Sequence, residues 1–312
     1  MPTVIITGGT GMIGTALSEA LLKKKYNVII LTRDPRKAVS SVNKISYAVW
    51  DIKEQTIDAD AISKADFIVH LAGANIGEKR WTAKRKKEII DSRIESSRLI
   101  VKALKENQNN VKAVVSASAI GYYGEGIDLV ENDPPADDFL GQTGKKWEES
   151  IEPVAGLGKR LVTLRTAPVL SNEAGYLPEF KKYLRFGLVT ILGNGKQIIS
   201  WIHIDDLVNM YITAIENESM SGVYNAVAPN PVNNKEFVLR LGKIQRGKFF
   251  IPVYVPAFIL KIILGEMSVE VLKSSKVSCN KIQEAGFDFQ FPVLQSALKD
   301  LKSKNPSVEG LQ

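Results

Sequence analysis

The chain has 312 residues, with 41 Lys+Arg against 34 Asp+Glu, one cysteine and two histidines. Cys279 alone excludes an internal disulfide framework, and with only His70 and His203 it cannot complete a Cys/His zinc cluster; a carboxylate-rich site stays open, but no EF-hand or HExxH pattern appears and no metal is expected. At 45% hydrophobic and 24% charged the composition is that of a globular protein, and a net charge of +7 is mild for this length.

No basic leader with a cleavage site follows Met1, and no apolar run reaches the length of a membrane span, so the expected compartment is the cytoplasm. Residues 4–6 read as a short buried strand. They run into Thr7-Gly8-Gly9-Thr10-Gly11-Met12-Ile13-Gly14, which contains Gly9-x-Gly11-x-x-Gly14. A helix follows over 14–24, with Ala16, Leu17, Ala20 and Leu21 on one face. A glycine turn between strand and helix suits the diphosphate of a dinucleotide. Glycine permits the turn and the close approach of backbone N–H groups, and the helix N-terminus presents unpaired donors and a positive dipole end. Gly8, Thr10, Gly11, Met12, Ile13 and Gly14 are the expected contacts.

The next strand, 28–31, ends in Thr32-Arg33-Asp34-Pro35-Arg36-Lys37. Asp34 could serve the ribose hydroxyls of NAD. Thr32, Arg33 and Arg36 suit a ribose 2′-phosphate, which an acid would repel, so NADP(H) is favoured over NAD. Lys37 reads as loop solvation. Strands at 67–71, 111–116 and 161–164 alternate with helices at 81–106 and 145–157. This predicts an α/β fold, a Rossmann-type doubly wound parallel sheet. After Arg165 the alternation fails and Pro and Gly become frequent, which predicts a smaller C-terminal substrate domain. The boundaries expected are 1–170 for the NADP-binding Rossmann domain, with 201–217 returning to it, and 171–200 with 222–312 for the substrate-binding domain. The apolar run 256–265 reads as core by default, with an interaction surface as the alternative. The tail 302–312 reads as frayed. The basic stretches 23–25 and 84–87 read as solvated helix faces, so no nucleic-acid partner is expected. His203 reads as structural, and His70 as strand-end core.

The motifs TGGTGMIG, Trp50-Asp51, His70-Leu71-Ala72-Gly73-Ala74 and Ser116-Ala117-Ser118 together resemble the extended short-chain dehydrogenase/reductases, which include nucleoside-diphosphate-sugar epimerases. Arg80-Trp81-Thr82, Asp91-Ser92-Arg93, the run 119–124, the run 200–206, Gly265-Glu266-Met267 and Ala285-Gly286-Phe287 narrow the resemblance. They point to an atypical subgroup of the NAD(P)-dependent epimerase family, often labelled SulA-like cell-division inhibitor. The resemblance implies that Asp51 and Ile52 line the adenine pocket. It implies that Leu71, Ala72 and Gly73 bound the central part of the cofactor, that Ser118 is the catalytic Ser/Thr, and that Arg165 helps cover the nicotinamide side.

The wider family carries Tyr-x-x-x-Lys, where a cation one helical turn away lowers the Tyr pKa for proton transfer. None of the nine tyrosines here has Lys four residues on. Three readings stay open. Tyr122 or Tyr123 carries the proton, with Lys145 or Lys146 as cationic neighbour; or water or the substrate supplies it; or the protein binds NADPH and senses it without turnover. The expected function is that of an NADP(H)-binding, epimerase-like oxidoreductase acting on a small molecule of nucleotide-sugar type, as a monomer or homodimer and with no membrane partner. The alternative is a non-catalytic NADPH-binding sensor or regulatory protein.

Overall fold

The computed structural model describes residues 1–34, 36 and 45–304; Lys37 and positions 305–312 of the tail lie outside the described residues. In chain order the elements are β1 (Thr3–Thr7), α1 (Met12–Lys23), β2 (Asn27–Thr32), β3 (Ile45–Asp51), β4 (Thr56–Ile57), α2 (Ala59–Lys64), β5 (Phe67–His70), α3 (Ala83–Glu106) and β6 (Ala113–Ala119). A 3-10 turn over Ile120–Tyr122 leads to β7 (Gly126–Leu129), α4 (Phe139–Ile151), α5 (Pro153–Gly156), β8 (Arg160–Thr166), β9 (Val169–Leu170), α6 (Tyr176–Leu184) and β10 (Leu188–Leu192). Then come β11 (Ile198–Ile199), β12 (Ile202–His203), α7 (Ile204–Glu216), β13 (Gly222–Ala226), β14 (Val232–Asn233), α8 (Asn234–Arg246) and β15 (Ile251–Val255). The chain closes with α9 (Ala257–Leu264), α10 (Ser268–Leu272), β16 (Ser275–Val277), α11 (Asn280–Glu284) and α12 (Leu294–Ser303).

Two compact units result. The first comprises Met1–Tyr122, Pro135–Arg165 and Val208–Tyr224; the second comprises Tyr123–Pro134, Thr166–Leu207 and the chain from Asn225 onward. The main sheet has the order β13-β8-β6-β5-β1-β2-β3-β4. The β1/β2, β1/β5, β2/β3 and β5/β6 pairs are parallel. The chain leaves β1 toward β2 on one side and returns to pair β5 on the other. This is the reversal that opens a ligand crevice at the carboxyl ends of the two strands. β1, β2 and β5 are almost wholly apolar because helices cover both faces. Ile5, Leu31, Ile68, Leu99, Ile100 and Val114 form the centre of one buried cluster of this unit.

Helix α4 starts earlier than the sequence suggests. The Asp138 side chain accepts the Gly141 N–H at 2.8 Å and caps it, so the helix begins at Phe139 rather than 145. The helix runs on through Gly144, where an added Cβ would sit 3.3 Å from Tyr122 Cδ2. The glycine is where the Tyr122 ring lies against the helix.

The second unit packs around Leu177, Phe180, Trp201, Phe237, Leu241 and Leu298. Within it β10 and β15 form a two-stranded parallel sheet. Helix α9 corrects the reading of 256–265 as core. Only Leu260 of this helix is buried, and Phe258, Ile262 and Ile263 face outward.

Candidate functional site

The glycine turn sits at the reversal between β1 and β5. Gly8 adopts φ +67°, and a Cβ there would meet Leu71 C at 3.0 Å and Ala72 N at 3.1 Å. A Cβ on Gly14 would fall 2.5 Å from both Gly8 O and Gly9 Cα, and one on Gly9 would fall 2.8 Å from the Ile30 side chain. Three glycines are thus fixed by close backbone and strand approaches. Gly11 caps α1 without a side-chain hydrogen bond. Thr10, Met12 and Ile13 lie in the same turn. The cradle fits a dinucleotide diphosphate.

A buried network fixes the facing loop. Thr7 Oγ1 accepts the N–H groups of Leu71 (3.0 Å) and Ala72 (3.1 Å), so its own proton goes to His70 Nδ1 at 2.8 Å. His70 then carries its proton on Nε2 and donates to Ser97 Oγ at 3.1 Å. Burial first, and the Arg93 cation second, lower the His70 pKa to about 3. The neutral ring ties β1, the 71–73 loop and α3 together. Arg93 lies against Gly73 and donates from one nitrogen to the carbonyls of Ala74 (3.1 Å) and Ile89 (3.0 Å).

At the end of β6, Ser118 is buried and its hydroxyl donates to Glu148 Oε1 at 2.6 Å. Glu148 comes from α4, one turn past Gly144. Arg165, at the end of β8, grips the same carboxylate with Nε and a terminal nitrogen, both at 2.8 Å. The Arg165 guanidinium also lies 3.5 Å from the centre of the Tyr122 ring. Burial, with Glu148 adding to it, holds the Tyr122 pKa above its ordinary value against the opposing pull of Arg165. Ser118, Tyr122, Glu148 and Arg165 therefore form one cluster within the first unit. Sequence reasoning missed Glu148. The only local signal was the small residue and acid at i and i+4 (Gly144 and Glu148) in the helix where Tyr and Lys were sought.

The cation beside Tyr122 is Arg165, which corrects the expectation of Lys145 or Lys146; Lys145 pairs with Glu149 at 3.9 Å on an exposed face. Tyr123 belongs to the second unit, where it is fully buried and donates to Asn225 Oδ1 at 2.7 Å. At the end of β2, Thr32 Oγ1 accepts the Asp34 N–H at 3.1 Å, and Arg33 is exposed. Arg36 is exposed and makes a two-pronged pair with Asp34, both contacts at 2.9 Å. Asp51 Oδ1 accepts the N–H groups of Lys53 (2.8 Å) and Glu54 (3.1 Å), and Ile52 packs on the core of the first unit.

In the second unit, His203, Asp205 and Asp300 come together. Lys304 pairs with both carboxylates, at 2.6 and 2.9 Å, and His203 Nδ1 accepts the Asp205 N–H at 3.2 Å. The Lys304 ammonium bridges the two carboxylates, and one imidazole nitrogen accepts a backbone N–H.

Residues 4–142 match the model of the NAD dependent epimerase/dehydratase family, and residues 255–301 match a domain of unknown function, DUF1731. An "Epimerase family protein" of Staphylococcus saprophyticus is 36% identical over 306 residues, spanning 96% of this chain and 99% of that protein. Among solved structures, human epimerase family protein SDR39U1 (isoform 2) with NADPH superimposes with a TM-score of 0.85 at 30% identity, covering 96% of this chain and 99% of that one. A nucleoside-diphosphate sugar epimerase from Corynebacterium glutamicum gives a TM-score of 0.75 at 28% identity, covering 99% of this chain and 62% of that one.

Proposed function

The chain belongs to the NAD dependent epimerase/dehydratase family, and from that premise we propose that it is an NADP(H)-dependent, epimerase-like oxidoreductase acting on a small molecule of nucleotide-sugar type. The observation that carries this reading is the Ser118–Glu148–Arg165 cluster beside Tyr122, in the unit that also holds the glycine cradle. Residues Gly8–Gly14 would hold the diphosphate, Thr32, Arg33 and Arg36 the 2′-phosphate, Asp51 and Ile52 the adenine, and Leu71, Ala72 and Gly73 the central part. The NADPH in the human relative supports this choice of cofactor. When bound, the nicotinamide supplies or takes a hydride.

The protein's own residues position the reacting hydroxyl. A substrate hydroxyl donates to Ser118 Oγ, whose own proton is committed to Glu148, and gives up its proton to water as the hydride leaves; in reduction water returns it. Arg165 holds Glu148 in place and offsets its charge. Tyr122 serves as a platform for Arg165. Tyr123 acts as packing, with its hydroxyl spent on Asn225.

One observation favours the second reading, a non-catalytic NADPH-binding regulator: Ser118 is only 3% exposed. NADPH oxidation measured against a panel of carbonyl compounds and nucleotide sugars separates the two. The enzyme reading expects turnover with at least one member, lost in Ser118→Ala while NADPH affinity is kept. Saturable NADPH binding with no turnover across the panel would establish the regulator.

A further inference from the structure

The second unit carries an apolar face that nothing in the described chain covers. Phe249 is 83% exposed and Phe186 67%, with Ile251, Tyr254, Phe258 and Ile262 also outward-facing. The pairing of β10 with β15 joins the first three, since the Ile251 N–H donates to Gly187 O at 2.8 Å, next to Phe186. Phe186, Phe249 and Ile251 lie together at the start of this pairing, whereas Tyr254 is on the opposite face of β15 and Phe258 and Ile262 belong to α9; with a whole aromatic side chain at ~150–250 Å², the first three alone expose roughly 400 Å², within the ~300–600 Å² of the largest patch on a typical monomer.

The backbone argues against a strand from another protein as the occupant. Ile251 donates to Gly187, and Val255 accepts from Gly193 at 2.9 Å, so the odd-numbered residues of β15 turn their polar groups toward β10. Pro252 and Tyr254 face the free edge, and Pro252 has no N–H to offer. A proline there interrupts strand addition.

Charge points to the occupant. The segments 181–192 and 246–264 contain Lys181, Lys182, Arg185, Arg246, Lys248 and Lys261, with Glu179 and Glu266 as the nearest flanking acids, and Lys181 donates to Asn172 Oδ1 at 2.7 Å. Lys182 is paired with Glu179 at 2.7 Å, and Arg246 binds the carbonyls of Leu184 and Arg185. Arg185 lies 4.6 Å from the Phe186 ring. Helix α8, which leads through Lys248 into Phe249, also walls a groove of about 860 Å³ lined by Arg240, Lys243, Lys299 and Lys302. Two copies meeting through this face would bring like charges together. Aromatic and aliphatic side chains ringed by cations match the boundary of an anionic bilayer, where rings sit at headgroup depth and cations meet phosphates.

We propose that this face of the second unit docks peripherally on an anionic lipid surface. No helix of the described residues is long and apolar enough to cross a membrane, and surface docking runs against the expectation of no membrane partner.

The test is co-sedimentation of the full-length protein with vesicles. Equimolar phosphatidylglycerol and phosphatidylcholine should bind at least ~10-fold more protein than phosphatidylcholine alone, and high salt should remove most of the difference. Phe249→Asp/Ile262→Asp and, separately, Lys248→Glu/Lys261→Glu should abolish the binding. Both pairs are exposed, so melting temperature and NADPH affinity should stay at parent values. Failure to bind anionic vesicles, or binding undiminished in both variants, overturns the proposal. A solution dimer that Phe249→Asp/Ile262→Asp dissociates would overturn it in favour of a second copy. Neither readout depends on turnover.

Discussion

The Ser118 hydroxyl donates to Glu148 Oε1 at 2.6 Å, and Arg165 holds both oxygens of that carboxylate at 2.8 Å. Arg165 is 3% and Glu148 15% exposed at the side chain. Removing one partner leaves the other charge stranded. Glu148→Ala should therefore destabilise the protein by about 3–5 kcal/mol, and Glu148→Ala/Arg165→Met should recover part of that loss. Urea unfolding of the two variants checks this. A double variant no more stable than Glu148→Ala would mean the carboxylate matters for another reason.

Gly14 is fixed by contact and not by its own φ. A Cβ 2.5 Å from Gly8 O and Gly9 Cα can only be accommodated by moving the turn. Gly14→Ala should weaken NADPH binding at least ~10-fold, equivalent to about 1.4 kcal/mol. Gly156 has no atom within 4 Å of its absent Cβ, so Gly156→Ala should leave binding untouched and alter stability by no more than about 1 kcal/mol. Equal effects of the two substitutions would contradict the cradle geometry.

His70 gives stability a dependence on pH. Its pKa falls from 6.5 to about 3 on folding, because burial disfavours the charged ring. The unfolded chain then binds more protons than the folded one between those values. The contribution is nil above the unfolded pKa and becomes destabilising as pH falls from 6.5 toward 3. At pH 5 it amounts to about 2 kcal/mol. His203, lowered to about 4 chiefly by burial, acts in the same direction. Urea midpoints at pH 7 and pH 5 should show a smaller acid loss in His70→Asn than in the parent protein. Identical losses would place a charged or solvated His70 in the native state.

What was legible in the sequence was local. The glycines of the phosphate turn are neighbours along the chain, flanked by the strand and helix they join, so both their spacing and their setting could be read directly. The alternating apolar strands likewise announce a sheet covered on both faces. Glu148 was not legible, because its partners lie 30 and 17 residues away and its helix also carries Glu149, a solvated acid of the same type. Only the tertiary fold separates the two. Helix α9 failed for the opposite reason. Its composition is that of core, but nothing in an apolar octet says whether the cover comes from the same molecule.

Arg36 and Arg33 differ in a way that bears on cofactor choice. Arg36 already has a carboxylate in Asp34, whereas Arg33 is exposed beside it at the end of β2. Arg33→Ala should therefore cost more NADPH affinity than Arg36→Ala, because Arg36 must leave Asp34 to reach a phosphate. Equal losses would mean that both guanidinium groups reach the 2′-phosphate.

The most direct measurement is a parallel titration of the parent protein with NADPH and NADH, read by nicotinamide fluorescence. Charge-assisted hydrogen bonds contribute about 1.5–3 kcal/mol, so NADPH should bind ~10- to 100-fold more tightly, and Arg33→Ala should remove most of that preference. Equal affinities for the two nucleotides, or no saturable binding of either, would contradict the reading of this chain as an NADP(H) protein.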